Sequence, residues 1–257
     1  MDLSWLQNII SDESEKSKLQ DWVKYNGADR LKRIYEIARG DSERVSYYQM
    51  TECAKYDARV SQWLFKTIRI IEGHMRATLL NFTDWYNEVW DGGLIKTAIF
   101  DKFRFGIDSV KRENSIRAKV NQVLTRLSMA KKQEFTFPEF LDACSFSELK
   151  AIHSLLTEEC LYEGNIFKNR ENIGEELYLV TILRNHISHN HIILDFYFIG
   201  KERRYALKQA VEIVLSYIED TAMRARRIKE LNGYAEYYRG AELMKIPKHY
   251  RILIEEK

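Results

Sequence analysis

The chain has 257 residues, of which 45% are hydrophobic, and this is enough to bury a sizeable core in one or two domains. Its 40 Lys and Arg nearly balance its 38 Asp and Glu, so the net charge of +2 excludes a protein that binds polyanions over its whole surface. Only two prolines and eleven glycines interrupt the chain, which predicts a mostly helical protein.

The cysteines Cys53, Cys144 and Cys160 lie far apart and include no C-x-x-C pair. This spacing predicts neither a disulfide scaffold nor a zinc knuckle, and it fits a reducing compartment. The first ten residues lack the basic start and long apolar stretch of a signal peptide, and no apolar run reaches the length of a transmembrane helix. We therefore expect a cytoplasmic protein that does not contact a membrane.

Apolar periodicity and helix-ending residues predict a series of helices along the chain. In the first half, these cover residues 14–25, 29–38, 57–82 and 109–131. Thr83 and Asp84 are expected to cap a further segment, which breaks at Asp91-Gly92-Gly93.

In the second half, helices are predicted over residues 138–143, 147–161, 173–189 and 203–231. The sequence Ser145-x-x-Glu148 is typical of a capping box at the start of the second of these helices. Residues 165–172 are expected to form a polar loop, 192–200 a short strand or a packed loop, and the tail follows Gly233.

The most informative pattern stands at the end of segment 173–189, in the sequence Arg184-Asn185-His186-Ile187-Ser188-His189. The residues before it are mostly apolar, so a buried helix is predicted, and polar groups at its end are costly unless they are paired or used. Arg offers a planar, permanent charge for a phosphate, and His can exchange a proton near neutral pH. The leading hypothesis is therefore a metal-independent ribonuclease.

Spacing alone leaves two other interpretations of these residues open. In a purely structural one, Arg184 and Asn185 satisfy carbonyl groups, and the histidines lie at the negative end of the helix dipole. In the other, His186, His189 and His191 bind a metal ion, although zinc usually has a carboxylate or thiolate among its ligands. We assign no metal and no cofactor to the chain.

Glu72 and Arg76 form a second pattern, on the predicted helix 57–82, with the spacing of an i, i+4 ion pair. Gly73 lies between them and costs a helix about 1 kcal/mol relative to Ala, which suggests the close approach of another helix. The carboxylate of Asp57 suits the N-terminal end of the same helix.

Basic residues concentrate between positions 102 and 132, where nine Lys and Arg stand against only Asp108 and Glu113. In a nearly neutral protein this is a candidate footprint for nucleic acid, although a solvated helix face gives the same pattern. The predicted RNA-contacting residues are Lys111, Arg112, Arg117, Lys119, Arg226 and Arg227.

Four short patterns carry a family resemblance: Tyr56-Asp57-x-Arg59, Ile71-Glu72-x3-Arg76, Phe146-Ser147-x-Leu149 and Leu183-Arg184-Asn185-x3-His189. Together they resemble the Abi-like proteins of bacterial abortive infection, the AbiD/AbiF group of the HEPN superfamily, over roughly residues 45–191. The Arg-Asn-x3-His and Glu-x3-Arg patterns are the most specific parts. Some HEPN toxins carry Tyr two residues after the His; here that residue is His191, so regulation through such a Tyr is not expected.

The resemblance implies an all-α fold, a HEPN-type helical bundle with additional helices, in a single domain over residues 1–257. Its core would cover about 45–231, with N-terminal helices in 1–44 and a C-terminal tail in 232–257 as extensions. Many HEPN domains are endoribonucleases that join two Arg-x4-6-His motifs in one composite site. Because this chain has one such motif, the resemblance implies a homodimer if the protein is active, in a bacterial cytoplasm.

Under this hypothesis the RNA 2′-OH attacks the adjacent phosphate, His189 acts as general base or acid, and Arg184 holds the phosphate. Asn185 orients His189 or bonds across the dimer. The supporting residues would be Glu72, Arg76 and His186.

The expected substrate is tRNA or another single-stranded or loop RNA, and partners could include a neutralising antitoxin RNA or protein. The competing hypothesis is a non-catalytic helical module that binds RNA or protein in a phage-defence or toxin–antitoxin system.

Overall fold

A computed structural model describes residues 5, 9–10, 13–40, 42, 44–200, 204–238 and 246–255. The protein is mostly helical, with 69% helix and 6% strand, which confirms the class expected from its few prolines and glycines. Within the described residues, no helix is both long enough and apolar enough to cross a membrane. The HEPN type of bundle stays a prediction.

The helices in the described part are, in chain order, α1 (Glu13–Asn26), α2 (Ala28–Arg39), α3 (Tyr47–Thr83), α4 (Gly92–Lys102), α5 (Val110–Met129), α6 (Phe137–Asp142), α7 (Phe146–His153), α8 (Ile173–Ser188), α9 (Leu207–Ser216) and α10 (Thr221–Tyr237). Short strands pair two by two: β1 (Ile9–Ile10) with β2 (Val45–Ser46) in parallel, and β3 (Val89–Asp91) with β4 (Glu134–Thr136) and β5 (Tyr197–Ile199) with β6 (Arg204–Ala206) antiparallel. In the two antiparallel pairs, Trp90 lies opposite Phe135 and Phe198 opposite Tyr205.

The chain divides into two compact units. The first unit comprises Met1–Thr67 and Ile182–Lys257, and the second unit is the continuous segment Ile68–Thr181. The single domain over residues 1–257, with its core at 45–231, stays a prediction.

The core of the first unit forms along α3, where Tyr56, Val60 and Trp63 recur at helical spacing and are buried. The Nε1 of Trp63 donates a hydrogen bond to the backbone carbonyl of Arg227 in α10, at 3.0 Å. The hydroxyl of Tyr56 accepts one from the amide of Ile252, also at 3.0 Å. Burial of that hydroxyl raises the pKa of Tyr56 to about 12. These bonds fix α10 and the segment 251–255 against α3.

The core of the second unit combines an apolar stripe on α5 with a cluster of aromatic rings. The stripe includes Ile116, Val120 and Val123, which are buried. The aromatic cluster consists of Trp85, Trp90, Phe135, Phe137 and Phe140. The helix start expected at Ser145 is confirmed, because Oε2 of Glu148 accepts the amide of Ser145 at 2.8 Å; Thr136 begins α6 in a capping box with Glu139.

Two helix starts differ from the sequence-based expectation. α3 begins at Tyr47, so Asp57 lies inside the helix and its assignment to the N-terminal end is wrong. The break expected at Asp91-Gly92-Gly93 is where β3 ends, but α4 begins there too, a start that was not predicted. The reason is a side-chain cap: Oδ1 of Asp91 accepts hydrogen bonds from the amides of Gly93 and Leu94, at 2.8 Å each.

The predicted single helix 203–231 is wrong, because the described part of it forms β6, α9 and the start of α10; Arg203 lies outside the described residues. Tyr217 and Ile218 are buried in the interruption between the two helices. Asp220 then caps α10 by accepting the amide of Met223 at 2.9 Å. α10 continues to Tyr237, beyond the predicted end, whereas the helix expected over 147–161 ends at His153.

Candidate functional site

α8 ends at the predicted motif in a Schellman turn. The amide of His191 donates to the carbonyl of His186 at 2.9 Å, and the amide of Asn190 donates to the carbonyl of Ile187 at 3.0 Å. Asn190 has a φ of 55°, in the left-handed region that Asn adopts more readily than most residues. His189 is thus the capping residue at the C-terminal end of α8.

Three imidazole rings cluster around this turn. The ring centroid of His186 lies 5.2 Å from that of His191 and 5.3 Å from that of Phe196, and the rings of His189 and His191 lie 6.2 Å apart. The Nδ1 of His186 is 3.2 Å from the carbonyl of Ile182, and it carries a proton there because a carbonyl oxygen can only accept. His186 is therefore fixed by its contacts, whereas His189 and His191 are exposed.

A buried carboxylate on α3 holds the segment that follows the turn. Oδ1 of Asp57, whose side chain is 1% exposed, accepts the amides of Ile193 and Leu194 at 2.7 and 3.1 Å. Its Oδ2 lies 3.4 Å from Nη2 of Arg30 in α2. Burial raises the pKa of Asp57, although the two amides and Arg30 act in the opposite direction.

An ion pair adds a second link to the same segment, since Nη1 of Arg33 in α2 lies 2.6 Å from Oδ2 of Asp195. Both side chains are accessible to water, so the pair contributes little stability by itself. Together with Asp57, it determines the path of the chain directly after the three histidines. The exposed imidazoles are therefore held on a turn that is fixed on both sides.

The structure places the predicted catalytic residues together at one end of α8, in the first unit. Asn185 and His189 are exposed, and Arg184 and His186 are half-buried. The amide of His189 donates to the carbonyl of Asn185 at 2.9 Å, so their side chains follow each other on one face. The imidazole of His189 can transfer a proton and the guanidinium of Arg184 can bind a phosphate, although Arg184 lies off the face that Asn185 and His189 share.

The metal-binding interpretation of His186, His189 and His191 gains no support from their arrangement. In the part of the chain that the structure describes, no group of three His, Cys, Asp or Glu side chains could hold a metal ion. The Nδ1 of His186 is moreover engaged with a backbone carbonyl.

Glu72 and Arg76 lie in the second unit and form the predicted i, i+4 ion pair, with 3.7 Å between Oε2 and Nη1. The Nε of Arg76 also donates to the carbonyl of Leu141 at 3.3 Å and lies 3.6 Å from Oδ1 of Asp142, which links α3 to the end of α6. The expectation of a close helix at Gly73 is wrong, since a Cβ there would meet no described atom within 4 Å outside its own helix. The proposed support of the motif by Glu72 and Arg76 stays a prediction.

Carboxylates neutralise part of the basic stretch in the second unit. The ion pairs are Arg112–Asp108, Arg117–Glu113, Arg126–Glu148 and Lys132–Glu139. Arg117 also lies over the ring of Phe100, 4.1 Å from its centroid. Lys111 and Lys119, by contrast, form no ion pair with any described residue. Of the four RNA-contacting residues predicted on α5, two are therefore paired with acids.

The two arginines predicted on α10 also differ from each other. Arg227 is half-buried, and its Nη1 lies 3.1 Å from Oε2 of Glu230. Arg226 is exposed and forms no ion pair within the described ranges. Arg226 therefore keeps a charge that a ligand could use.

Two residues of interest were missed in the sequence. Asp57 was assigned to a helix end, although its position beside buried Tyr56 indicates a buried charge that needs partners. Lys150 lies in α7, outside the basic stretch, with its Nζ 4.9 Å from the ring centroid of Tyr178. Burial lowers the pKa of Lys150, and the charge of Lys119 lowers it further. No local count of basic residues could have identified this neighbourhood.

No family model, curated protein or solved structure matches the chain. The function is therefore inferred from the geometry at the end of α8 and from the four patterns that resemble Abi-like HEPN proteins.

Proposed function

We propose that the protein is a metal-independent endoribonuclease that acts in bacterial anti-phage abortive infection or as a toxin. The observation that carries the proposal is the exposed His189 beside Asn185 and Arg184 on a turn whose backbone is already satisfied. The carbonyls of residues 185, 186 and 187 accept backbone amides, so side chains are not needed to cap the helix. The exposed side chains of Asn185 and His189 can therefore reach a substrate.

In the proposed reaction, the imidazole of His189 removes the proton from an RNA 2′-OH, whose oxygen attacks the adjacent phosphorus. Arg184 binds a non-bridging oxygen and stabilises the negative charge that develops there. The bond from phosphorus to O5′ breaks, and a protonated imidazole donates its proton to O5′. The products are a 2′,3′-cyclic phosphate and a 5′-OH, and DNA, which lacks the 2′-OH, is not cleaved.

A homodimer would supply the two imidazoles that this reaction needs, because one chain carries one Arg-Asn-x3-His motif. One His189 would act as the base and the His189 of the second copy as the acid, while Asn185 orients either imidazole. His186 would help to hold the turn that carries His189, because its ring packs against that of His191.

The test is cleavage of labelled total tRNA and of a single-stranded RNA in EDTA, with analysis of the product ends. We expect cyclic phosphate ends from the wild type and a loss of roughly 10²–10⁴-fold in rate for His189→Ala. His249→Ala, which removes another exposed histidine of the first unit, should cleave like the wild type. An active His189→Ala protein, or cleavage that EDTA abolishes, would refute the assignment.

A non-catalytic helical module for RNA or protein is the second candidate, favoured by the contacts of His186. Its ring packs edge-on against Phe196 and its Nδ1 bonds to the helix, as in a purely structural helix end. A folded, dimeric wild type that binds RNA without cleaving it would support this candidate.

A further inference from the structure

A groove in the second unit is lined for an anion. It lies between the N-terminal end of α5 and the end of α7 and has a volume of about 410 Å³. Its polar lining residues are Ser109, Lys111, Arg112, Ser115, Lys150 and Ser154. No acidic side chain is among the residues that line it.

We infer that this groove binds a phosphate of the RNA backbone, so that the substrate strand lies across the beginning of α5. The inference takes its ligand, RNA, from the proposed function and adds a binding site separate from the residues at the end of α8.

The lysines give the groove its net positive charge. Lys111 is exposed, and neither it nor Lys150 forms an ion pair with a described residue. Arg112 is partly neutralised by Asp108 at 2.9 Å and also donates to the carbonyl of Ser154, so it shapes the wall of the groove. Burial lowers the pKa of Lys150, and repulsion by the charge of Lys119 lowers it further; a bound anion would offset that repulsion.

The backbone of α5 adds to the attraction. Ser109 caps this helix of 20 residues by accepting the amide of Arg112 at 3.2 Å. Other amides of the first turn have no acceptor within the helix, and the positive end of the helix dipole favours a negative group there. Lysine ammonium groups, serine hydroxyls and a helix N-terminus thus line one groove.

An aromatic ring near the groove favours a nucleic-acid strand over a free phosphate ion. Tyr178 is 48% exposed, and the Nζ of Lys150 lies above its ring. Exposed aromatic rings beside lysines are typical of surfaces on which nucleobases stack while the backbone is neutralised.

The test is fluorescence anisotropy of a labelled single-stranded RNA in EDTA, with all variants in the His189→Ala background so that cleavage does not interfere. We expect Lys111→Gln and Lys150→Gln each to weaken binding roughly 5-fold at 0.1 M salt and to reduce the salt slope by roughly 0.7. The matched control is Lys131→Gln, because Lys131 is exposed and follows the opposite end of α5, about 30 Å along the helix. The control should change affinity less than about 2-fold.

Equal effects of the groove variants and the control would overturn the inference, and so would a His189→Ala protein that binds no RNA. Lys111→Gln decides the matter alone if Lys150→Gln fails to fold, since Lys111 is exposed. Inorganic phosphate that displaces the RNA at millimolar concentration would reassign the groove to a free ion. Groove-dependent binding without cleavage by the wild type would refute the ribonuclease and leave this site standing. Cleavage that depends on His189 but not on the lysines would support the ribonuclease and refute this binding site.

Discussion

The end of α8 and the groove beside α5 differ in how far their polar groups are paired. After α8, the buried carboxylate of Asp57 and a set of backbone amides satisfy one another, which leaves His189 exposed on a fixed turn. In α7, next to the groove, the Nε2 of His153 is buried with no hydrogen-bond partner in the described residues, and Lys150 lacks a carboxylate partner there. Pairing holds the side chains in place for the proposed proton transfer, whereas charges without an ion-pair partner remain available for the proposed ligand.

The largest effect on the free energy of unfolding is expected from removing the hydrogen bonds of Asp57. Asp57→Ala leaves the amides of Ile193 and Leu194 without acceptors and should lower the free energy of unfolding by roughly 3 kcal/mol. Asp57→Asn keeps an oxygen for both amides and should lose less than half as much. Urea unfolding at pH 7 measures this, and RNA cleavage should fall in the same order. Equal losses in the two variants would show that hydrogen bonding is not what Asp57 contributes.

The buried His153 predicts a loss of stability in acid. Burial lowers the pKa of His153 to about 4, so the unfolded chain takes up a proton near pH 6.5 while the folded protein does not. The free energy of unfolding should therefore be unaffected above pH 6.5 and fall as the pH drops towards 4, by about 2 kcal/mol at pH 5.

Urea unfolding of the wild type and of His153→Leu at pH 7.5 and 5.0 isolates this contribution, because other groups titrate alike in both proteins. The ring of His153 packs 4.3 Å from that of Phe167, so an apolar side chain is expected to be tolerated. A pH dependence identical in both proteins would contradict the assignment.

A smaller effect, of opposite sign, is expected at Gly73. Gly73→Ala should raise the free energy of unfolding by about 0.5–1 kcal/mol, because the position is exposed, helical and open to a Cβ. Cleavage should be unchanged. A stabilised but inactive variant would show that RNA or a second copy of the chain approaches α3 beside Glu72 and Arg76.

The smallest predicted effect is a difference in RNA affinity between variants of two basic residues on α5. Lys119→Gln should weaken RNA binding about 3-fold. Lys119 forms no ion pair in the described structure, and it is near enough to Lys150 for its charge to lower the pKa of that lysine, which burial lowers most. Arg117→Gln should change RNA binding less than about 2-fold, since Glu113 and the ring of Phe100 already hold that guanidinium. Anisotropy at two salt concentrations distinguishes them, and a larger effect at Arg117 would place RNA on the other side of α5.

The sequence predicted the elements whose boundaries depend on nearby residues. α5 begins after Ser109, and α6 begins at its capping box, because the side chains that satisfy the first amides lie within three residues. The split between α9 and α10 could not be predicted in the same way, since burial of Tyr217 and Ile218 is a tertiary effect.

The same distinction applies to the candidate site. Arg184, Asn185 and His189 were expected at the end of a helix and lie there, because the apolar run and the polar end are adjacent in the chain. The bond between Asp57 and Ile193 joins residues 136 positions apart, which no local pattern contains. Catalytic activity, RNA binding and dimerisation stay predictions.

The division of the chain also predicts an order of events during synthesis. The second unit is one continuous stretch, so we expect it to fold once residue 181 has emerged, as continuous domains do on the ribosome. The first unit begins earlier in the chain but cannot complete its folding at that stage. Its residues Asp57 and Tyr56 form hydrogen bonds with Ile193 and Ile252, which are synthesised later. The turn with His189 therefore gains its anchor only late in translation. If the protein is the proposed ribonuclease, it would therefore be inactive while the ribosome, which consists largely of RNA, synthesises most of its chain.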